Sequence, residues 1–99
     1  VGAIENFDVA IDLDPTFWQA YFNRGTARYM LDRYAEAIAD LSVVAGLEPE
    51  VADTYYWRGF AYLGLEITSS AAADFELLLE LEPDHQQREE VESVLAQLE

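Results

Sequence analysis

The chain of 99 residues has no cysteine and no lysine, one histidine, one methionine and three prolines. Without cysteine there is neither a disulfide framework nor a thiolate metal site. That fits a reducing compartment and sets the expectation of a cytoplasmic location, with any targeting signal outside this stretch. No apolar run approaches the roughly 18 residues that a membrane helix needs. Val1 is not a start methionine and no basic-then-apolar leader follows it, so a segment of a longer protein is expected. Positive charge is scarce, with five arginines against twenty acids and a net charge of −15. Nucleic acid and anionic membranes are repelled by that balance. Two readings of it remain: a surface kept charged for solubility, or one that attracts a basic partner.

Catalytic groups are equally thin. His85 reads as a solvated helix-cap residue, with no second imidazole for a metal. Asp12 and Asp14 flank a leucine, but no glycine and distant glutamate complete a calcium loop. Ser42, Ser69, Ser70 and Ser93 stand in no strand–turn–helix context, and no glycine-rich phosphate loop is present. Acidic neighbours such as Glu89 and Glu90 read as a solvated face. No enzymatic activity, cofactor or metal is expected.

What the chain does have is a period. Pro15, Pro49 and Pro83 are 34 residues apart. The same offset relates Ala3, Ala37 and Ala71; Phe7, Leu41 and Phe75; Leu13, Leu47 and Leu81; Tyr21 and Tyr55; Gly25 and Gly59; and Asp40 and Asp74. Each glycine follows an arginine, Arg24 or Arg58. Within a period, 18–31 and 34–47 both carry apolar residues at three- and four-residue steps, so each unit is a pair of helices. The prolines stop the second helix of each pair. Small residues at the repeating positions let backbones approach closely. In an antiparallel hairpin turning near 32–33, Arg24 lies opposite Asp40 and Arg58 opposite Asp74, which predicts an ion pair inside each unit. The rival is that one arginine faces a ligand carboxylate instead.

Tyr21-x₂-Arg24-Gly25, Ala37-x₃-Leu41 and Pro49, then Tyr55-x₂-Arg58-Gly59-x₂-Tyr62, Ala71-x₃-Phe75 and Pro83, resemble the tetratricopeptide repeat family. The resemblance covers residues 1–83 and implies an all-α, right-handed solenoid of antiparallel helix pairs. Residues 1–15 are the second helix of a truncated repeat, 16–49 and 50–83 are full repeats, and 84–99 is a capping helix. There Asp84 and Gln87 resemble a capping box, and Val91, Val94, Leu95 and Leu98 share one face. Arg28 departs from the family's tyrosine. The turn "LEITSS" lacks the small residue and tyrosine of its counterpart, so a looser turn is expected.

In that family the first helix of each repeat lines a concave groove that holds an extended peptide or a helix. The matching residues are Gln19, Phe22, Asn23, Thr26, Tyr29 and Met30 in one repeat. In the next they are Asp53, Tyr56, Trp57, Phe60, Leu63 and Gly64. Members that grip a peptide's C-terminal carboxylate use lysines, arginines and asparagines; with no lysine and only Asn23 nearby, that clamp is not expected. An aromatic wall with an acidic rim suits an apolar segment carrying basic residues, since ring faces hold cations. The expected function is non-catalytic protein–protein binding. Three alternatives stay open. The rings pack only within the solenoid; the segment is a regulatory or docking part of a larger enzyme; or it self-assembles through the first helix, where Ala3 and Phe7 lack a partner helix.

Overall fold

A computed structural model describes the backbone of residues 2–98 and the side chains of residues 4–98. The helices are α1 (Gly2–Leu13), α2 (Trp18–Met30), α3 (Tyr34–Leu47), α4 (Ala52–Gly64), α5 (Thr68–Leu81) and α6 (Arg88–Leu98), with no strand among the described residues. Helices α1, α3 and α5 each end two residues before a proline. The residue preceding proline is pushed out of the helical region, so the helix ends there.

Each helix packs on the next, and α2 also touches α4, so first helices form one layer and second helices the other. The result is an elongated array of 41 × 24 × 19 Å. Its core is built from small residues meeting large ones. Ala37, Leu41 and Val44 on α3 and Ala71, Phe75 and Leu78 on α5 are fully buried, at equivalent places in the two units. Gly25 lies against the Leu41 side chain and Gly59 against the Phe75 ring, so closely that an added Cβ would stand 3.0 and 2.6 Å from them. Hydrophobic burial of this kind supplies most of the fold's stability.

The two intra-unit turns are superimposable in their bonding. The Arg33 and Ile67 amides donate to the carbonyls of Arg28 and Tyr62, and Asp32 and Glu66 both take positive φ, 60° and 61°. The backbone of the turn at 65–67 thus matches its counterpart, while the turn at 31–33 alone adds side-chain bonds, Tyr34 to Asp32 at 2.9 Å and Arg33 to Glu36 at 2.7 Å. Backbone bonds define the turn at 65–67, and the left-handed residue needs no particular side chain, only tolerance of the strain. The Asp84 capping box is not formed. The Gln87 amide donates to His85 Nδ1 at 2.9 Å, so the histidine ring takes the place of the acid before α6.

Candidate functional site

Ion pairs fix the helix pairs before any surface is considered. Arg24 Nε and Nη2 donate to both oxygens of Asp40 at 3.0 and 2.7 Å. Arg58 repeats this fork on Asp74 at 2.9 and 2.8 Å. Both aspartates are buried and hydrogen-bonded to a planar guanidinium, the arrangement in which an ion pair is strongest. The bonds to Asp40 hold Arg24 protonated more firmly than an ordinary arginine, against the opposing effect of burial. Each guanidinium also reaches back to the preceding second helix, Arg24 to Asp8 at 2.7 Å and Arg58 to Ser42 at 3.2 Å. The sequence reading missed Arg28, which donates to Asp40 at 3.0 Å and so shares its carboxylate with Arg24. A cation where the family carries tyrosine, one helical turn after Arg24, was the available signal.

Asp8 and Ser42 occupy the same register, and Ser42 is exposed. Ser42→Asp should convert a neutral bond into a charged one and stabilise the fold by about 0.5–1 kcal/mol in urea unfolding. A destabilisation would show that Arg58 cannot serve two carboxylates.

The first-helix layer, where the groove is expected, is built by α2 and α4. Trp57 meets Tyr29 of α2 at a centroid distance of 5.6 Å and Tyr56 at 5.2 Å; Tyr56 meets Phe60 at 5.1 Å. These four rings are half-buried and form a continuous edge-to-face ladder, a favourable aromatic geometry. Phe22 joins Trp18 further along α2 at 6.4 Å, and Gln19, Asn23 and Met30 are exposed beside them. Thr26 is half-buried, its hydroxyl turned to the Asn23 carbonyl. Two groove positions are already partly used by the fold. Phe60 packs on Phe75 at 5.0 Å, and Leu63 joins Tyr56 against the core shared with Val91, Val94 and Leu95 of α6. Gly64 is exposed, and the absence of a side chain there lets the Tyr34 ring approach, since an added Cβ would meet it at 2.6 Å. Phe7 is half-buried, while Ala3 lies outside the described side chains.

At the α6 edge, His85 is not the solvated residue expected from sequence. Its side chain is 8 % exposed, it lies parallel to the Tyr56 ring, and Nε2 is 2.6 Å from Asp53 Oδ1. Because Nδ1 accepts from Gln87, the ring proton sits on Nε2 and is donated to Asp53. The Tyr56 hydroxyl donates to Glu90 at 2.7 Å. Among the described residues no arginine comes within ion-pair reach of Asp53 or Glu90, while all five arginines contact other carboxylates. A polar concavity of about 430 Å³ lined by Asp84, His85, Gln86, Arg88 and Glu89 opens at the turn into α6, not along the ring ladder. No group of three or more metal-ligating side chains gathers among the described residues.

Burial, the bond to Glu90 and that carboxylate's charge push the Tyr56 hydroxyl up to about 12. Burial likewise raises Tyr29 and Tyr55. A hydroxyl whose folded value exceeds its unfolded value of about 10 stabilises the fold below that pH and ceases to do so as pH rises through the folded value. Helical ellipticity should therefore fall between about pH 10 and 12, together with late tyrosinate absorbance. Tyr56→Phe should make the loss shallower; an unchanged profile would mean that Tyr56 ionises without cost.

Comparison with known proteins now bears on this geometry. A tetratricopeptide repeat model matches residues 6–39 and another matches residues 52–85, together more than two-thirds of the chain. Among solved structures, the chain is similar to the first TPR of Spaghetti (RPAP3) bound to the HSP90 peptide SRMEEVD. The identity is 28 % over 96 % of this chain and 73 % of that one, with a TM-score of 0.88. It is similar to the Arabidopsis OM64 TPR domain at 28 % identity over 95 % of this chain and 78 % of that one, TM-score 0.88. The second TPR domain of human RPAP3 in complex with the HSP70 peptide SGPTIEEVD follows at 27 %, 96 %, 77 % and 0.86. A comparison with curated proteins finds no match. Six antiparallel helices in two layers, a 34-residue register and both repeat models agree: this chain belongs to the tetratricopeptide repeat family.

Proposed function

We propose that this chain is a protein-interaction module whose concave face holds an extended peptide or a helix with apolar and basic side chains. The ring ladder Tyr29–Trp57–Tyr56–Phe60 carries the reading, because it is continuous across two repeats and only half-buried. Peptide binding by structural neighbours supports it, since two of them hold SRMEEVD and SGPTIEEVD. Those peptides end in acids. Here the matching face carries Gln19, Asn23, Asp53 and Glu90 and no lysine, so like charge opposes an acidic tail while ring faces and carboxylates favour a cation.

Selection from a random peptide library should enrich apolar sequences bearing lysine or arginine, with SGPTIEEVD failing to compete. Tyr56→Ala should weaken the selected peptides at least about tenfold, and Asn23→Lys, an exposed change, should weaken the basic ones. Circular dichroism of each variant checks that the fold is kept. Enriched peptides that bind both variants as tightly as the parent would remove the groove from the account.

A further inference from the structure

The second-helix layer carries a surface that the concave groove does not use. In a chain of net charge −15, the outer face of α3 is almost uncharged. Its exposed residues include Ala35, Ala39, Val43, Gly46 and Leu47, and the one acid among them, Glu36, is held by Arg33 at 2.7 Å. Helix α3 is thus apolar on its inner face, where Leu41 and Val44 are buried, and apolar again outside. A helix that is hydrophobic all round is ordinarily covered on every side. Equivalent outward positions extend the strip to Val9 and Leu13 on α1, 58 % and 82 % exposed, and to Leu81 on α5. Exposed apolar residues grouped on one helix face mark an interaction site.

Gly46 gives an independent sign. Its φ is not positive, and a Cβ built there would meet nothing within 4 Å. Neither the backbone nor the packing of this chain calls for glycine, which costs about 1 kcal/mol against alanine inside a helix. Ala35, Ala39, Val43 and Leu47 follow at four-residue steps, the ridge that interdigitates when helices pack closely.

The charge around the strip selects the occupant. Glu48 and Glu50 follow α3 directly, and Asp14 and Glu82 repeat the Glu48 position beside Leu13 and Leu81. A hydrogen bond with Glu50, and next that carboxylate's charge, raises the Glu48 carboxyl. The carboxyl end of the α3 dipole adds further negative charge there. We infer that the outer face of α3 is a second docking surface, fitted to an amphipathic helix of a partner protein whose apolar ridge is bordered by lysine or arginine. A second copy of this chain would set acidic rim against acidic rim, which disfavours it.

A synthetic helical peptide with a leucine ridge and lysine borders, and its glutamate-bordered counterpart, test this by fluorescence anisotropy on the whole chain. The lysine-bordered peptide should bind and the glutamate-bordered one should not. Val43→Ser with Leu47→Gln, both exposed, should weaken binding about tenfold through lost apolar contact. Measured in the Tyr56→Ala background, which weakens the groove, binding should persist, and Glu48→Gln with Glu50→Gln should reduce its salt dependence. Loss of binding with Tyr56→Ala alone would place the peptide in the groove and overturn the inference. Equal binding of both peptides, binding of neither, or insensitivity to Val43→Ser/Leu47→Gln would also overturn it. So would a sedimentation shift to a dimer that these two substitutions abolish. The concave reading stands or falls separately, on Asn23→Lys and the selected peptides.

Discussion

Asp40→Ala should destabilise the fold by about 3–5 kcal/mol, the loss typical of removing one partner from a buried ion pair. The size follows from how many groups lean on one carboxylate. Arg24 forks onto both Asp40 oxygens, and Arg28 shares the second of them. Both guanidinium side chains are only 17 % exposed. Without Asp40, Arg24 keeps Asp8, but Arg28 keeps only Glu36 at 3.9 Å, and its Nε already has no acceptor. Two cations would be left partly desolvated in a domain whose whole stability is of order 5–15 kcal/mol. Asp74→Ala strands one arginine rather than two and should cost less. Urea unfolding followed by circular dichroism measures both; a loss under about 1 kcal/mol for Asp40→Ala would show that water rescues the arginines.

Phe75→Ala should cost about 3–5 kcal/mol, as truncation of a fully buried ring generally does. Phe75 is 0 % exposed and meets the Phe60 edge at 5.0 Å. Its ring also fills the space that Gly59 leaves, which makes the two positions interdependent. In the parent chain a Cβ at Gly59 would lie 2.6 Å from the ring, so Gly59→Ala should destabilise despite alanine's better helix propensity. In the Phe75→Ala background the obstruction is gone, and the same change should stabilise. A reversal of sign in this double-mutant cycle is the expected result. Simple additivity would mean that the helices respace freely. Because Phe60 leans on Phe75, the truncation should also loosen the ring ladder and weaken peptides held on the proposed binding face.

How far these features were legible in sequence depends on whether a neighbour along the helix or across the fold decides them. The 34-residue register placed α3 at 34–47, its bounds in the structure, because proline and periodicity are local signals. Arg24 opposite Asp40 followed from hairpin geometry alone. Arg28 did not, since its path to the same carboxylate depends on side-chain reach. Tyr34 over Gly64 joins two repeats, and no pattern within one repeat points to it. His85 read as solvated because its partners, Asp53 and the Tyr56 ring, lie more than one helix away in sequence. The apolar outer face of α3 was visible as composition, but periodicity names apolar residues without saying which remain uncovered.

The arginine links also bear on how the array comes apart. Arg24 and Arg58 each stitch a first helix to the second helices on both sides, so the chain is laced from Asp8 to Asp74. At the next place in that register stands Glu92, on α6, and the acceptor position beside it is Glu76. The lacing therefore stops before the last helix, which is held by the buried Val91, by Val94 and Leu95 against the core and by the bond from Tyr56 to Glu90, with His85 to Asp53 anchoring the turn before it. In a solenoid whose stability is summed over neighbour interfaces, an end joined differently can open as its own cooperative unit. Helix α6 is then expected to open at lower cost than the laced helices, which amide hydrogen exchange would register as earlier exchange in residues 88–98.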